Sequence, residues 1–186
     1  MKKTPWFLKS LLAISILAIS GCNTSPVYST FQPQAESFIQ IKFEYPSNWN
    51  WDTVRPNEIS IYNTGNFSSF SIFVWRFENT KEMKDYLKKR IQGSFDFGVD
   101  RDAVFLYEPI TLDGYPAKRI VLDLPINPHD EERIKPTIQE KYFLLVDNTV
   151  YELLFNIETD QRNGEFGRAF DHIIETLQVL DEPSVP

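Results

Sequence analysis

The chain has 186 residues, 42% hydrophobic, 15% aromatic and 24% charged, with a formal charge of −7. That length suits one domain, and a domain of roughly 150 residues buries around two-thirds of its unfolded surface, so an apolar core suffices without staples. The acidic balance speaks against nucleic acid and anionic headgroups as partners and is compatible with a basic protein or a cation.

At the N-terminus, Lys2 and Lys3 precede an apolar run from Leu11 to Ala18. The run is too short to span a bilayer, which takes roughly 20 apolar residues, and matches a secretory signal. Ile19-Ser20-Gly21-Cys22 then resembles a lipobox, an aliphatic residue and two small ones before a cysteine. Cleavage before Cys22, with lipidation of its thiol, is the expectation. Two or three acyl chains anchor stably, at about 0.8 kcal/mol per buried methylene. Cys22 is the sole cysteine, so lipidation leaves no thiol for disulfides, metals or catalysis. Removing Lys2, Lys3 and Lys9 takes the mature charge from −7 to −10. The expected location is the extracytoplasmic face of a cell or outer membrane. Asn23 is not the Asp that marks inner-membrane retention in enteric bacteria.

Residues 23–36 are polar and Pro-containing and read as a flexible tether, reaching at most about 45–50 Å when extended. Ile39, Ile41, Phe43 and Tyr45 alternate with polar residues, the period of a half-buried strand. Pro46 ends it, and Ser47 to Trp51 reads as a turn. Short strands follow at Glu58 to Tyr62 and at Ser69 to Phe77, the latter apolar on both faces and so central. Asn79 with Glu82 predicts a helix start, and Met83, Leu87 and Ile91 give it one apolar face. Gln92 to Asp102 reads as a loop. Asp113-Gly114 and Asp147-Asn148 join two hairpins, Phe105–Leu112 with Tyr115–Leu124 and Ile138–Val146 with Thr149–Ile157. The second, long and apolar, belongs at the middle of the sheet. A last helix from Gly164 to Leu177 carries Phe166, Phe170, Ile173, Ile174 and Leu177 on one stripe. The class is α+β, with a mainly antiparallel sheet and two covering helices. The divisions are 1–21 signal, 22–36 lipidated cysteine and tether, 37–180 domain and 181–186 tail.

Phe43-Glu44-Tyr45-Pro46 followed by Trp49 resembles the opening of PsbP-like domains, and Asp113-Gly114-Tyr115-Pro116-Ala117 resembles that family's Gly-x-Pro-Ala turn. The similarity runs from Phe38 to Val179. It implies an α/β/α sandwich and a non-enzymatic protein. Members named for photosystem II act as extrinsic or assembly subunits, and many bacterial relatives are lipoproteins of unknown role. No residue here singles out the photosystem branch, so its ion chemistry is not carried over. The resemblance also implies that Trp49 plugs the end of the core.

Residues that carry chemistry are few. His129, Asp130 and Glu131 in an acidic loop are weak candidates for a divalent metal, because neighbours in one loop rarely converge on an ion without a second set of ligands. His172 beside Asp171 is expected to pack or face water. There is no Gly-x-Ser-x-Gly elbow, P-loop, dinucleotide glycine pattern or His-Glu-x-x-His. Two histidines exclude a His-rich metal site; paired carboxylates are too common here to single out a pair. No catalytic residue, resident metal or cofactor is expected. Trp51, Asp130, Glu131 and Glu132 are the candidate contacts for a protein of the envelope. The alternatives are a small-ligand or divalent-cation binder and an envelope enzyme.

Overall fold

The computed structural model describes residues 26–33, 39–63, 68–99, 103–126 and 135–180. The lipobox residues Ile19, Ser20, Gly21 and Cys22, and His129, Asp130, Glu131 and Glu132, lie outside them. The strands are β1 (Tyr28–Phe31), β2 (Ile41–Pro46), β3 (Asn50–Arg55), β4 (Glu58–Tyr62), β5 (Ser69–Arg76), β6 (Val104–Leu112), β7 (Tyr115–Leu124), β8 (Thr137–Val146), β9 (Thr149–Glu158) and β10 (Gln178–Val179). The helices are α1 (Thr80–Val99) and α2 (Glu165–Thr176). A 7-stranded antiparallel sheet runs in the order β3-β4-β5-β9-β8-β7-β6, and a 3-stranded sheet runs β1-β2-β10.

The period-two pattern decides which face each strand buries. Tyr151, Leu153, Phe155 and Ile157 of β9 pack in one core with Phe170 and Ile173 of α2. Val150 points the other way and packs with Met83 and Leu87 of α1. The central strand thus buries side chains on both faces, and one helix covers each face. This is the expected α+β sandwich. Both hairpin turns need a left-handed residue, Asp113 (φ 46) before Gly114 (φ 82), and Asp147 (φ 50). Short polar side chains and glycine tolerate that conformation best. At the start of α1, the Glu82 backbone N–H donates to Asn79 Oδ1 at 3.0 Å, the expected cap.

Four expectations need correction. The tether contains β1, which pairs Tyr28 with Pro46 and Phe31 with Phe43. The folded body therefore begins at Tyr28 rather than near residue 37; four residues are too short to show a period. The turn is only Ser47–Asn48, and Asn50 begins a strand whose residues are all exposed, so no apolar alternation betrays it. The stretch after Gln92 continues α1 to Val99, because Phe95 packs against Phe105 and Tyr107 and the Ser94 hydroxyl donates to the Arg90 carbonyl. Finally, β2 belongs to the small sheet beside α2, not to the main one.

Buried ion pairs fix both helices. Under α1, Glu152 is 1% exposed and accepts two hydrogen bonds from Arg90 Nη2, at 2.6 and 2.7 Å, and one from Arg90 Nε at 3.0 Å. Lys141 on the same face donates to Ser94 Oγ at 3.1 Å. On the other face, buried Glu140 accepts from Arg119 at 2.9 Å, from Arg162 at 3.1 Å and from the Tyr142 hydroxyl at 3.0 Å. Arg162 also holds Asp171, which ties the loop before α2 to the sheet. That loop approaches so closely that a Cβ at Gly167 would collide with the Arg162 carbonyl, so glycine is required there.

Arg90 is half-exposed but Glu152 is buried, so removing Arg90 leaves that carboxylate without its main partner. Arg90→Ala is expected to cost about 3 kcal/mol, read from the urea midpoint, and Arg90→Met with Glu152→Leu to recover most of it. Burial holds the Lys141 ammonium below its ordinary value of 10.5, against the pull of Glu152. The unfolded chain thus binds more protons between the lowered value and 10.5, and stability from this group rises with pH across that window. Lys141→Met removes this rise in a pH series of denaturant melts.

Candidate interaction surface

Trp49 and Trp51 fall together in sequence but the fold separates them. The Trp49 N–H donates to the Pro46 carbonyl at 2.9 Å, closing the Ser47–Asn48 turn. Its indole is buried against Phe166 and Phe170 of α2, with centroids 5.8 and 5.6 Å away, and so plugs the core end. Trp51 sits on β3 and is 49% exposed, its ring edge-on to Phe31 at 5.9 Å.

The strand that carries Trp51 is an edge of the main sheet and, among the described residues, pairs only with β4. Its register shifts between Thr53 and Arg55, where Val54 is exposed. Asp52, Arg55 and this bulge are the devices by which edges resist indiscriminate pairing. The edge thus presents an aromatic anchor without a flat template. The opposite edge, β6, exposes Phe105, Leu106 and Tyr107, and Pro109 removes one of its backbone donors. In the sequence these three residues sit inside a hairpin strand with nothing else to mark them. Three consecutive large apolar residues, which break the alternation of a half-buried strand, are the signal in the sequence.

His172 packs, as expected, and it also pairs. Its Nε2 lies 2.9 Å from Glu44 Oε2, and its ring stacks on Tyr28 at 3.8 Å. The Thr176 hydroxyl accepts the Glu44 backbone N–H and donates to the His172 carbonyl. This cluster straps β1 to α2. Tyr28 was not legible in the sequence because its stacking partner His172 lies more than a hundred residues away and its strand is four residues long.

Among the described residues no three His, Cys, Asp or Glu side chains converge on a metal position. A cleft of 760 Å³ opens beside Val27, Trp49, Glu165 and Arg168. A second, of 360 Å³, lies between Arg76, Tyr115 and Asn148 at the other end of the strands. The space between the sheet and α2 is filled by Phe155, Phe170 and Trp49.

No protein-family model matches the chain, and no curated protein matches it in sequence. Solved structures do match in fold. A protein of Bacteroides thetaiotaomicron aligns with a TM-score of 0.54 at 15% identity over 82% of this chain, which spans 48% of that protein's length. Cyanobacterial PsbP (CyanoP) from Synechocystis aligns with a TM-score of 0.53 at 11% identity, over 87% of this chain and 98% of its own. A variant of the protein Mog1 aligns at 0.49 and 8% identity, over 83% and 97%. The fold is PsbP-like.

The strap gives a direct check on β1. His172→Ala is expected to speed amide exchange in residues 28–31 about tenfold, the effect of losing about 1.4 kcal/mol of local protection. Exchange in β8 and β9 stays unchanged.

Proposed function

We propose that this chain of PsbP-like fold is an exported lipoprotein, cleaved before and lipidated on Cys22, that serves outside the cytoplasm as a non-enzymatic accessory module. Its partner is a protein of the cell envelope, docked along β3, with Trp51 as the anchor and Asp130, Glu131 and Glu132 as further contacts. The observation that carries this reading is the half-exposed indole of Trp51 on a fully exposed edge strand. A buried aromatic anchor at the centre of a contact supplies a disproportionate share of binding energy. The lipid adds local concentration at the membrane without adding contacts. Two features support a non-enzymatic role: the sheet–helix interior is packed with aromatic rings, and the titratable clusters of the described residues are structural ion pairs.

The test is capture of the lipidated chain from its native membrane, with Cys22→Ala and Trp51→Ala controls and mass spectrometry. Trp51→Ala should leave the urea midpoint nearly unchanged, within about 0.5 kcal/mol, as for an exposed site. It should lower recovery of the partner at least about tenfold, the loss expected of an aromatic hot spot. Equal recovery by the Trp51→Ala chain sinks the assignment of β3 as the contact.

A further inference from the structure

β6 closes one side of the main sheet, and among the described residues no strand lies beyond it. Which of its backbone groups face outward follows from the hairpin. The left-handed Asp113-Gly114 turn leaves Leu112 and Tyr115 as a hydrogen-bonded pair, and such pairs alternate along an antiparallel ladder. Leu112, Ile110, Glu108 and Leu106 therefore turn their N–H and C=O groups to β7. Phe105, Tyr107, Pro109 and Thr111 turn theirs outward. Pro109 falls where β7 needs no N–H, which agrees with this phase. The outward run is also bounded. Pro109 has no N–H, and the Ala103 N–H donates to the Gly98 carbonyl at 2.9 Å. Between these stops stand two complete donor–acceptor sites, at Phe105 and Tyr107.

We propose that β6 pairs antiparallel with β6 of a second copy of this chain, about a twofold axis at Leu106. That axis sets Phe105 of each copy opposite Tyr107 of the other. Both are hydrogen-bonded pairs, each exchanging two backbone bonds, and Leu106 meets its own counterpart between them. A twofold contact must be self-complementary, and an identical edge brings the same two sites between the same two stops. Moving the axis to Tyr107 would set Phe105 against Pro109, which has no N–H to return, and Leu106 against the Glu108 carboxylate. Charge agrees with the axis at Leu106. Glu108 accepts from Arg119 at 2.8 Å within its own copy, and the axis keeps the two Glu108 carboxylates out of register.

The side chains suit such a ladder. Phe95 of α1 holds the rings of Phe105 and Tyr107 at 5.4 and 5.7 Å, so they lose little freedom on pairing. Phe105, Leu106 and Tyr107 still remain 43%, 47% and 42% exposed. Aromatic pairs across neighbouring strands are among the contacts that stabilise a sheet. Area sets the strength. At about 150–250 Å² for a whole aromatic side chain, these three residues leave about 250 Å² per copy to cover. A stable complex buries about 800 Å² per partner, so this dimer is weak and reversible. It leaves both β3 edges, each with its Trp51, at the far ends of one continuous sheet.

The experiment uses the full chain in detergent, with Cys22→Ala so that only an introduced thiol reacts. Opposed residues of a non-hydrogen-bonded pair have Cα atoms about 4.5 Å apart, within disulfide range. Leu106→Cys should therefore give a disulfide-linked dimer under copper–phenanthroline oxidation, read on a non-reducing gel. Thr111→Cys, exposed on the same strand, should give at least about tenfold less, because the axis sets it opposite residue 101 and roughly 33 Å from its counterpart. Equal yields, or no dimer from Leu106→Cys, overturn the proposal. Sedimentation equilibrium reads the chain without a cross-link. Leu106→Lys should leave the urea midpoint in place and weaken dimerisation at least about tenfold, by setting two ammonium groups face to face. Dimerisation unchanged by Leu106→Lys overturns the axis, and a monomer at every concentration overturns the pairing. Oxidation in native membranes separates the occupants. An adduct of Leu106→Cys with a different protein, and no dimer, gives the edge to that partner and overturns self-pairing. None of these readings depends on lipidation of Cys22 or on the role of β3.

Discussion

Phe70 and Phe155 are direct cross-strand partners whose rings stack at 4.4 Å, and the layers on one side of the sheet are positioned by that pair. Phe43 of the small sheet meets Phe70 edge-on at 5.5 Å, and Phe170 of α2 tilts onto Phe155 at 4.6 Å. Trp49 then closes the end against Phe170. Each aromatic pair adds about 0.5–1.5 kcal/mol beyond its buried area, but the geometric effect matters more here. Two otherwise separate pieces, a short sheet and a helix, find their places on one pair of rings. A shift of β5 against β9 would displace both.

The other face is built on a different principle. Only a few apolar residues of α1 reach the sheet, and an ion pair stands near the middle of that contact. Such a pair contributes little net stability compared with an apolar filling, but it fits in one geometry only. Tight aromatic packing therefore places α2, and a directional charge contact places α1. The second arrangement fixes where along the sheet α1 comes to rest, at Glu152, without relying on shape alone.

Much of the architecture was legible because it follows from period and turn chemistry. The two hairpins, the central position of β5, β8 and β9, and the capped start of α1 all follow from alternation, Asp-Gly and Asp-Asn turns, or an Asn cap. What escaped was whatever depends on distant partners. Tyr28 becomes a strand residue only because Pro46 and His172 are beside it. Asn50 to Arg55 shows no alternation because every side chain there is exposed. Gln92 to Val99 is helical because Phe105 and Tyr107 pack on Phe95. For the candidate surface, the sequence singled out Trp51 and left its exposure open; membership in an edge strand decided it.

The placement of β1 has a mechanical consequence. Its first residue, Tyr28, lies opposite Pro46, and the carbonyl of Val27 before it accepts the Ser47 N–H at 2.8 Å. A pull on Val27 along the strand axis would load the β1–β2 ladder in shear, so its bonds would resist together instead of opening one at a time as they would under peeling. The Tyr28–His172 stack and the Phe31–Phe43 stack act as cross-pins on this joint, tying it to α2 and to the core. At the other terminus, β10 pairs with the opposite end of β2, at Ile41 and Lys42. Tension entering at one end of β2 and leaving at the other would run lengthwise through a single strand and bypass the large sheet, which stays unstrained while the molecule bears load.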